Sequence, residues 1–445
     1  MAFPDLAVWM NGQRVGTWFW TRTGTAGFRY DTRWRQSASS RALSVSLPIP
    51  AAGGDVMGVA VESYFDNLLP DSTRIRERLR RRFAAPSTRA ADLLAAIGRD
   101  CVGAVQLLPD GAQPPAHDVV ESEPLADAQV EALLADVTGD GSEADSLLAD
   151  FRISIAGAQE KTALLRVGNR WHLPHGATPT THIFKLPLGL VGNMRADMTH
   201  SVENEWVSHT VLRALGFEVA GTAMGLFGKQ KVLIVERFDR RWVDRGRWIA
   251  RLPQEDFCQA TGTPGDLKYE SDGGPGIKAC LALLAGSNQA KADSLRFVLA
   301  QLAFWLMAAI DGHAKNFSIF LERGGGYRLT PLYDVLSAWP IIGNSGSRIS
   351  PRRAKLAMAL RSNSKFGSKN THYHLHEIHT RHWQALALQS GVPGAFDEMA
   401  GLVLRVPLAL EEVEAQLPAG FPRALFAAIR RGMLGQAEKF VSDLS

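Results

Sequence analysis

The stretch DGHAKNFSIF, from Asp311 to Phe320, places an acid, a lysine and an amide close together, directly after a long apolar segment. Asp311 and Asn316 are five positions apart, and Lys315 lies between them. Polar groups beside a buried segment are costly unless they find partners or do chemistry. The catalytic loop of kinases contains an Asp that orients the attacking hydroxyl and, five residues later, an Asn that holds magnesium. The spacing therefore predicts phosphoryl transfer, although an Asp that only caps a loop stays an alternative.

A second acid, Asp334, lies where such a site needs another metal ligand. The segment FSIFLERGGGYRLTPLYD, Phe317 to Asp334, predicts a β-hairpin that turns at Gly324 to Gly326. In kinases an aspartate downstream of the catalytic loop also holds magnesium. The sequence thus predicts Asn316 and Asp334 as ligands of the magnesium that accompanies ATP.

Two lysines upstream are candidates for binding the phosphates of ATP. Lys185 ends the apolar strand pattern THIFKLP, and kinases use such a strand lysine to neutralise phosphate charge, although a solvated lysine is the alternative. In FRISIAGAQEKT, the small residues Ala156 to Ala158 let backbone amides approach an anion, and Lys161 adds charge. The Gly-Lys-Ser/Thr ending of a Walker A loop is missing, so a tight hairpin turn is also compatible with this pattern.

A hinge where backbone groups meet adenine is the third requirement of a kinase. Residues Glu236 to Phe238 directly follow KVLIV, Lys231 to Val235, which has the composition of a buried strand. The position is suitable for a hinge, but this pattern is weak when taken alone.

The bulk composition is that of a globular protein. The 445 residues are 46% hydrophobic and 21% charged, which argues against disorder and for two or three domains. No N-terminal signal segment is visible, and the most apolar run, Phe297 to Ile310, is short for a membrane span and fits a buried helix. Three widely spaced cysteines, Cys101, Cys258 and Cys280, suit a reducing compartment and would be small buried hydrophobes. We therefore expect a cytoplasmic protein without membrane contact.

The net charge of +4 is unevenly distributed. Residues 101–150 hold eleven Asp or Glu and no Lys or Arg, whereas Ser347 to Trp383 hold eight Lys or Arg and a single acid, Glu377. A second basic stretch is RIRERLRRRF, Arg74 to Phe83. Such asymmetry can mark a surface for nucleic acid or an acidic protein, and a solvated helix face is the alternative for Arg74 to Phe83.

Five of the twelve histidines fall within HYHLHEIHTRH, His372 to His382. Alternating histidines can ligate a metal, but no cysteine and only one carboxylate is near them in the sequence. The composition therefore favours a basic, partly exposed helix or loop over a zinc site.

Hydrophobic periodicity predicts a strand-rich half followed by a helix-rich half. Residues 7–16 form a hairpin pattern around Asn11-Gly12, Arg41 to Pro50 is a second strand pattern, and His200 to Gly216 is helical. After about Gln254 the pattern is helical except for Phe317 to Asp334. The predicted segments are a strand-rich subdomain at 1–110, an acidic linker at 111–150, the remainder of the strand-rich half at 151–253 and a helical half at 254–445.

These segments together make the chain similar to the HipA toxins, the serine/threonine kinase half of bacterial type II toxin–antitoxin pairs. The resemblance runs along nearly the whole length. It implies an α+β, two-lobed protein-kinase-like fold with a strand-rich N-terminal lobe and a mostly helical C-terminal lobe. Its carriers are VWMNGQRVG, YFDNLLPDS, IGRDCVGAV, DFRISIAGAQEKTALL, THIFKLP, ENEW, VERFDRRW, RLPQEDFCQ, KYESDGGPGI, DGHAKNFSIF and YRLTPLYDVLSAWP.

The resemblance also implies roles for individual residues. Asp311 would be the catalytic base, and Asn316 and Asp334 would hold magnesium. Ser154 matches the serine that family members autophosphorylate, and a phosphate there would add about two negative charges to a loop that cradles phosphates and so shut off ATP binding. The residues implied to bind ATP are Val102, Ala156, Gly157, Ala158, Gln159, Glu160, Lys161, Lys185, Glu236, Arg237, Phe238, His313, Ala314, Lys315, Asn316, Tyr333 and Asp334.

The family resemblance implies partners as well. The protein substrate would be glutamyl-tRNA synthetase, whose phosphorylation causes growth arrest and persistence, and a HipB-like helix-turn-helix antitoxin would neutralise the kinase and repress the operon. The family's basic DNA-contacting tetrapeptide corresponds to Leu388 to Gly391, LQSG, which is uncharged. Operator DNA is therefore expected mainly through the antitoxin complex. A catalytically weak co-repressor and a small-molecule or lipid kinase remain alternative functions.

Overall fold

The computed structural model of the protein describes residues 4–113, 117–138, 154, 157, 159–192, 195–362 and 370–444. The first elements are β1 (Leu6–Met10), β2 (Gln13–Trp20), β3 (Ala26–Tyr30), α1 (Thr32–Gln36), β4 (Asp55–Met57), α2 (Val59–Asp66), α3 (Thr73–Arg82), α4 (Ala90–Ile97), β5 (Val105–Pro109), β6 (Ser122–Pro124) and α5 (Asp127–Thr138). The middle of the chain adds β7 (Lys161–Val167), β8 (Arg170–Pro174), β9 (His182–Lys185), β10 (Gly189–Val191), β11 (Ala196–Met198), α6 (Ser201–Ala214), β12 (Thr222–Phe227), β13 (Gln230–Glu236), β14 (Arg240–Val243), β15 (Trp248–Arg251) and β16 (Gln254–Asp256). The last elements are α7 (Phe257–Thr261), α8 (Ile277–Leu284), α9 (Ala290–Met307), β17 (Ser318–Leu321), β18 (Tyr327–Leu329), β19 (Lys355–Arg361), β20 (Thr371–His374), α10 (Thr380–Gln389), α11 (Ala395–Ala415) and α12 (Arg423–Ser442).

The chain divides into two compact units. Unit 1 comprises residues 1–186, 225–267 and 318–327, and unit 2 comprises residues 187–224, 268–317 and 328–445. The predicted four-segment division of the chain stays a prediction, and residues 139–150 of its acidic linker lie outside the described residues.

Unit 1 begins with a five-stranded antiparallel sheet of order β4-β3-β2-β1-β5. The predicted hairpin is confirmed, because Met10 pairs with Gln13 around Asn11 and Gly12, which both have the positive φ that a tight turn requires. Apolar side chains of this sheet and of α2 and α4 form a common core. A second sheet, of order β12-β13-β9-β7-β8-β6, has its own apolar cluster against α5. The second sheet supplies strand ends among the candidate ATP contacts of unit 1, namely Lys161, Lys185 and Glu236.

Unit 2 is organised around α9, which contains the predicted buried helix. Its side chains Phe297, Leu302, Trp305 and Leu306 have no exposed surface. Helices α8, α10, α11 and α12 all contact it. A helix that is apolar on all sides must be surrounded in this way. Among the described residues, no helix is both long and apolar enough to cross a membrane.

Two secondary-structure predictions are wrong. Arg41 to Pro50 is a loop with only an isolated bridge between Ser44 and Leu47, because its polar groups bond to distant residues, as when Val45 N–H donates to Glu255. The basic stretch after residue 347 contains the antiparallel pair β19–β20, and not only helix or loop. β19 has the helix-favouring sequence KLAMALR, so tertiary packing outweighs local propensity there.

Two further predictions concern single residue types. Cys101, Cys258 and Cys280 are free and buried, as predicted. The arginine-rich segment Arg74 to Phe83 is largely helix α3, in agreement with the helical-face alternative. Several of its guanidiniums pair with carboxylates of unit 1, for example Arg76 with Asp66 at 2.7 Å. The basic charge of α3 is therefore partly neutralised within the fold.

Two glycines on α12 provide a matched test of packing. A Cβ at Gly432 would lie 2.2 Å from the Trp339 ring, whereas a Cβ at Gly435 meets nothing within 4 Å. We expect Gly432→Ala to lower the free energy of unfolding by about 1–3 kcal/mol, because the indole must shift. Gly435→Ala should raise it by up to about 1 kcal/mol through helix propensity. Urea denaturation of both variants measures this, and a stabilising Gly432→Ala would contradict the packing described here.

Glu255 makes unit 1 sensitive to pH. Burial raises the pKa of its carboxyl from 4.5 to about 8, and hydrogen bonds from Ser44 and the Val45 N–H oppose this only in part. Because the folded state binds the proton more tightly, this contribution to stability is complete below the unfolded pKa and is lost as pH rises through about 8. We expect the unfolding midpoint of wild type, relative to Glu255→Gln, to fall steadily between about pH 5 and 8. Parallel pH curves for the two proteins would contradict this assignment.

Candidate functional site

The Asp311 loop, Asp311 to Asn316, follows the C-terminal end of α9. The helix ends at Met307, and Ala308 turns the chain with a left-handed φ of 48°. The carbonyl oxygen of Asp311 then accepts two hydrogen bonds, from the His313 N–H at 2.8 Å and from Asn316 Nδ2 at 2.7 Å. The structure therefore brings the predicted acid and amide together in one closed loop.

The residues of the Asp311 loop differ in how far they are exposed to solvent. The Asp311 side chain is 64% exposed, whereas the residues Lys315 and Asn316 are 7% and 6% exposed. Because Asn316 Nδ2 donates to a backbone carbonyl, its Oδ1 is left as the acceptor end of the amide. The loop thus presents a carboxylate to solvent and fixes the orientation of an amide oxygen beside it.

The Asp334 loop, Tyr333 to Ser337, is tied to the Asp311 loop through its first residue. The Tyr333 hydroxyl donates to the carbonyl of Lys315 at 2.9 Å. Asp334 itself has a left-handed φ of 58°, a conformation that is uncommon for residues other than glycine and often found at functional sites. The Ser337 hydroxyl also donates to the Met307 carbonyl at the end of α9, at 2.6 Å. Both predicted magnesium-binding loops therefore meet at the same end of α9.

Helix α6 holds the Asp334 loop from the other side. Asn204 exchanges two hydrogen bonds with the backbone of Ser337, at 2.8 and 2.9 Å, and His209 Nε2 accepts the Val335 N–H at 3.4 Å. Sequence reasoning missed both positioning residues. The available signal was the number of polar residues within a helix that is almost wholly buried.

The residues present fit a magnesium ion. Within the described ranges, no three His, Cys, Asp or Glu side chains are grouped as a metal site. Magnesium does not need such a cage, because it usually keeps several waters and binds one or two carboxylates together with substrate phosphates. The carboxylate of Asp334 and the amide oxygen of Asn316 are ligands of the kind that magnesium prefers.

Two lysines of unit 1 face each other across neighbouring strands. Lys161 of β7 is in direct register with Lys185 of β9, so the two side chains leave the same face of the sheet. Lys185 is only 6% exposed, which favours the functional interpretation over a solvated lysine. Two ammonium groups on one face of the sheet provide positive charge of the kind that kinases place beside the phosphates of ATP.

Gly157 leaves space for one of these lysines. Its φ is 112°, and a Cβ at this position would lie 2.5 Å from Lys161 Nζ. Glu160 is anchored by Arg78, with 3.0 Å between Arg78 Nη1 and Glu160 Oε1, and Gln159 donates to the carbonyl of Leu186. Glycine at position 157 leaves room for the Lys161 ammonium group, and a residue without Cβ also lets backbone amides approach an anion. The predicted contacts Ala156 and Ala158 lie outside the described residues.

The predicted adenine hinge follows β13 in unit 1. Glu236 is the last residue of the strand, in register with His182, and its side chain is exposed. Arg237 N–H donates to the Thr181 carbonyl at 2.9 Å, and the Phe238 ring lies edge-on to Phe320 at 5.7 Å. The hinge backbone is thereby fixed to the neighbouring chain segments.

The Val102 loop, Cys101 to Gly103, is held against this hinge by a buried charge network. The network consists of Asp100, Arg237, Asp239, Arg240 and Arg251. Arg237 and Arg240 both donate to the Cys101 carbonyl at 2.8 Å, and the Gly103 N–H donates to Asp239 at 2.7 Å. The Arg237 guanidinium is therefore directed into this network. Since the Arg237 N–H already donates to Thr181, the carbonyl oxygen of Arg237, which accepts the Arg240 N–H at 3.1 Å, is what remains as a candidate for contact with adenine.

Mutual pairing keeps the network charged. Burial alone would raise the pKa of Asp100, but the guanidiniums of Arg240, Arg237 and Arg251 outweigh it and hold that pKa well below its ordinary value. Burial acts likewise on Asp239, and Arg237 and Arg240 again lower its pKa. Burial by itself would lower the pKa of Arg237, but Asp239 and Asp100 raise it. Burial lowers the pKa of Arg240, and it lowers that of Arg251 to about 10. The two carboxylates and Arg237 therefore stay ionised at neutral pH.

Comparison with known proteins identifies the family. The HipA N-terminal domain family matches residues 6–108, and the HipA-like C-terminal domain family matches residues 153–409. The chain belongs to the HipA family. Y4mE of Sinorhizobium fredii is 33% identical over 403 residues, which cover 88% of this chain and 87% of that protein.

HipA of Shewanella oneidensis is similar to this chain in sequence and in fold. The protein named serine/threonine-protein kinase toxin HipA is 28% identical over 333 residues, which cover 70% of each chain. A HipA chain in a solved complex of HipA, HipB and operator DNA matches with a TM-score of 0.79 and 24% identity, covering 98% of this chain and 97% of that one. This structural match confirms the predicted α+β fold of the HipA family.

Ser154 of this HipA-family chain is buried and internally bonded. It has no exposed surface, its N–H donates to the Asp100 carbonyl at 3.1 Å, and its hydroxyl donates to the Leu68 carbonyl at 2.8 Å. A phosphate on Oγ would replace the hydroxyl hydrogen and so remove the hydrogen bond to the Leu68 carbonyl. Modification of Ser154 therefore requires its hydroxyl to leave this buried position.

The buried charge network of the HipA-family fold can be tested with a matched pair of variants. Asp100→Asn leaves three guanidiniums opposite Asp239, and we expect it to lower the free energy of unfolding by about 3–5 kcal/mol. Asp110→Asn removes an ion pair on the surface, in which the side chains of Asp110 and Arg14 are 43% and 35% exposed. It should therefore lower the free energy of unfolding by less than about 1 kcal/mol. Guanidinium chloride denaturation measures both, and equal losses would contradict the proposed contribution of burial.

Proposed function

We propose that this protein is an ATP-dependent serine/threonine protein kinase that acts as the toxin of a type II toxin–antitoxin pair. The observation that carries the proposal is the closed Asp311 loop, in which the Asp311 carbonyl accepts the Asn316 amide while the Asp311 carboxylate stays accessible. That arrangement provides a base for a hydroxyl and a metal ligand five residues apart. Membership of the HipA family, with a relative named as a serine/threonine-protein kinase toxin, supports it.

In the proposed reaction Asp311 accepts the proton of a serine hydroxyl while that oxygen attacks the γ-phosphorus of ATP. The bond between the γ-phosphorus and the bridging oxygen of the β-phosphate breaks, and ADP leaves. Bound magnesium would neutralise phosphate charge, and Asn316 and Asp334 would hold it. Phosphate groups would lie against Lys185 and against Gly157 to Lys161. Little covalent chemistry is required of the protein, so its contribution is to position the reactants and complement their charge.

The remaining predicted ATP contacts have secondary parts in this scheme. Adenine would lie against Val102 and the hinge backbone of Glu236 to Phe238. The backbone of His313 to Lys315 would border the nucleotide, and the Tyr333 hydroxyl would act through the Lys315 carbonyl that it already contacts. The buried charge network would serve this function indirectly, by fixing the Val102 loop.

We further propose that phosphorylation of Ser154 inactivates the kinase. The serine hydroxyl would have to leave a fully buried site to react, and a phosphate with about two negative charges could not return there. Displacement of the segment would also remove the amides and Lys161 from the phosphate site. The modified chain would then bind ATP weakly.

The proposed partner is a HipB-like helix-turn-helix antitoxin, as in the Shewanella oneidensis complex. The segment Leu388 to Gly391, at the end of α10, carries no charge, and Leu388 is 76% exposed. Neutralisation of DNA phosphates needs Lys or Arg, so this segment gives no support for direct DNA contact, and the antitoxin would make the main contact with the operator. The proposed substrate, glutamyl-tRNA synthetase, rests on family resemblance.

The decisive test uses Asp311→Asn with Asp397→Asn as a matched control on the exposed start of α11. With ATP and magnesium, wild type and the control should gain one phosphoryl group at Ser154, and Asp311→Asn should incorporate phosphate at least about 100-fold more slowly. Intact-mass spectrometry and peptide mapping measure the gain. An unmodified wild-type protein, or an Asp311→Asn protein that reacts at the wild-type rate, would refute the proposal.

The same variants distinguish the alternative functions. A co-repressor predicts that growth arrest after expression persists in Asp311→Asn, whereas the kinase predicts that it disappears. A small-molecule or lipid kinase predicts that radiolabel from ATP accumulates in the metabolite or lipid fraction of a cell extract. A protein kinase should instead label a protein band, and added glutamyl-tRNA synthetase tests the proposed substrate directly.

A further inference from the structure

Tyr269 contacts the carboxylate of the proposed catalytic base. Its phenol donates a hydrogen bond to Asp311 Oδ1, and His313 Nε2 lies 3.8 Å from the same oxygen. Tyr269 belongs to the segment KYESDGGPG, Lys268 to Gly276, to which no role in the site has been assigned so far. A hydroxyl directed at the base is therefore a feature that the proposed mechanism does not yet use.

The phenol is held in this position by contacts with the Asp311 loop. The Tyr269 ring lies edge-on to the ring of His313, with 4.9 Å between the ring centres. The neighbouring Lys268 carbonyl accepts the Ala314 N–H at 3.4 Å. The segment that carries Tyr269 is thus joined to the Asp311 loop by a backbone hydrogen bond and by a ring contact.

The residue after Tyr269 anchors the segment to the rest of unit 2. The Glu270 side chain is only 10% exposed, and its carboxylate accepts the Ala359 N–H of β19 at 2.7 Å and an Arg361 N–H at 3.1 Å. A Cβ at Gly276 would lie 2.2 Å from the Glu270 carboxyl carbon, so glycine leaves the room that this carboxylate occupies. The tyrosine therefore rests on a fixed support and not on a free loop.

We propose that Tyr269 is a positioning residue for the Asp311 carboxylate, an inference that rests on the proposed kinase function. An aspartate whose side chain is 64% exposed is free to rotate unless something holds it. A hydrogen bond from the phenol to Oδ1 fixes the plane of the carboxylate and leaves Oδ2 to accept the proton of the substrate hydroxyl. Productive geometry for such a transfer has to be held within about 0.5 Å, and groups behind the reacting residue commonly provide that restraint.

The test compares Tyr269→Phe with Tyr269→Ala, and uses Tyr373→Phe on β20 as the control. Phe keeps the ring beside His313 and removes only the hydroxyl. We expect Tyr269→Phe to lower the rate of phosphate incorporation at saturating ATP by about 10-fold or more, because a hydrogen bond to a charged group is lost. The ATP concentration that gives half the maximal rate should change less than about twofold, because the ATP contacts are not altered. The urea concentration at the midpoint of unfolding should stay the same, because the packing of the ring is kept.

The outcomes separate this inference from the proposed function. Phosphate incorporation by Tyr269→Phe at the wild-type rate, with a loss only in Tyr269→Ala, would mean that the ring merely packs and would overturn the inference alone. A faster Tyr269→Phe would overturn it too, because the phenol would then compete with the substrate hydroxyl. A wild-type protein that transfers no phosphate would overturn both proposals. A slow Tyr269→Phe with unchanged ATP dependence, beside an unaffected Tyr373→Phe, supports the positioning role.

Discussion

The carbonyl oxygen of Asp311 accepts hydrogen bonds from the His313 N–H and from the Asn316 side chain, and this pair of bonds shapes the candidate site of unit 2. These two bonds close the Asp311 loop shortly after the end of α9. The acid is left exposed and the amide is buried with a fixed orientation. Buried polar groups are costly when they lack partners, so the loop has little freedom to adopt another arrangement. A rigid loop of this kind suits a reaction in which positioning supplies most of the catalysis.

The same constraint explains the arrangement of unit 1. The five residues of its buried charge network would be unfavourable singly, and they are tolerated because each carboxylate faces several guanidiniums. The network also defines where the Val102 loop lies, because Gly103 and Asp239, 136 positions apart, must meet for its hydrogen bonds to form. Structural charges thus prepare a site whose proposed ligand is itself highly charged.

Much of the fold and the centre of the site were predictable from sequence because their causes are local. The Asn11-Gly12 turn, the helical pattern of α6 and the length of the apolar run in α9 each follow from residue types within a few positions. Prediction failed where the partners are distant. The stretch Arg41 to Pro50 has strand-like residues, but its polar groups find Glu255 and Gln259, and β19 has helix-favouring residues that pack as a strand.

The sequence by itself determined which chemical groups are available and how far apart they lie along the chain: Asp311, Asn316 and Asp334, with Lys185 and Lys161 upstream. Only the tertiary structure decided which neighbours fix them. Asn204 and His209 bind the Asp334 loop from a helix more than a hundred positions away, the guanidinium of Arg237 turns inward, and Tyr269 reaches Asp311. The physical reason is that a hydrogen bond depends on distance and direction in space, which packing sets and which separation along the chain does not reveal.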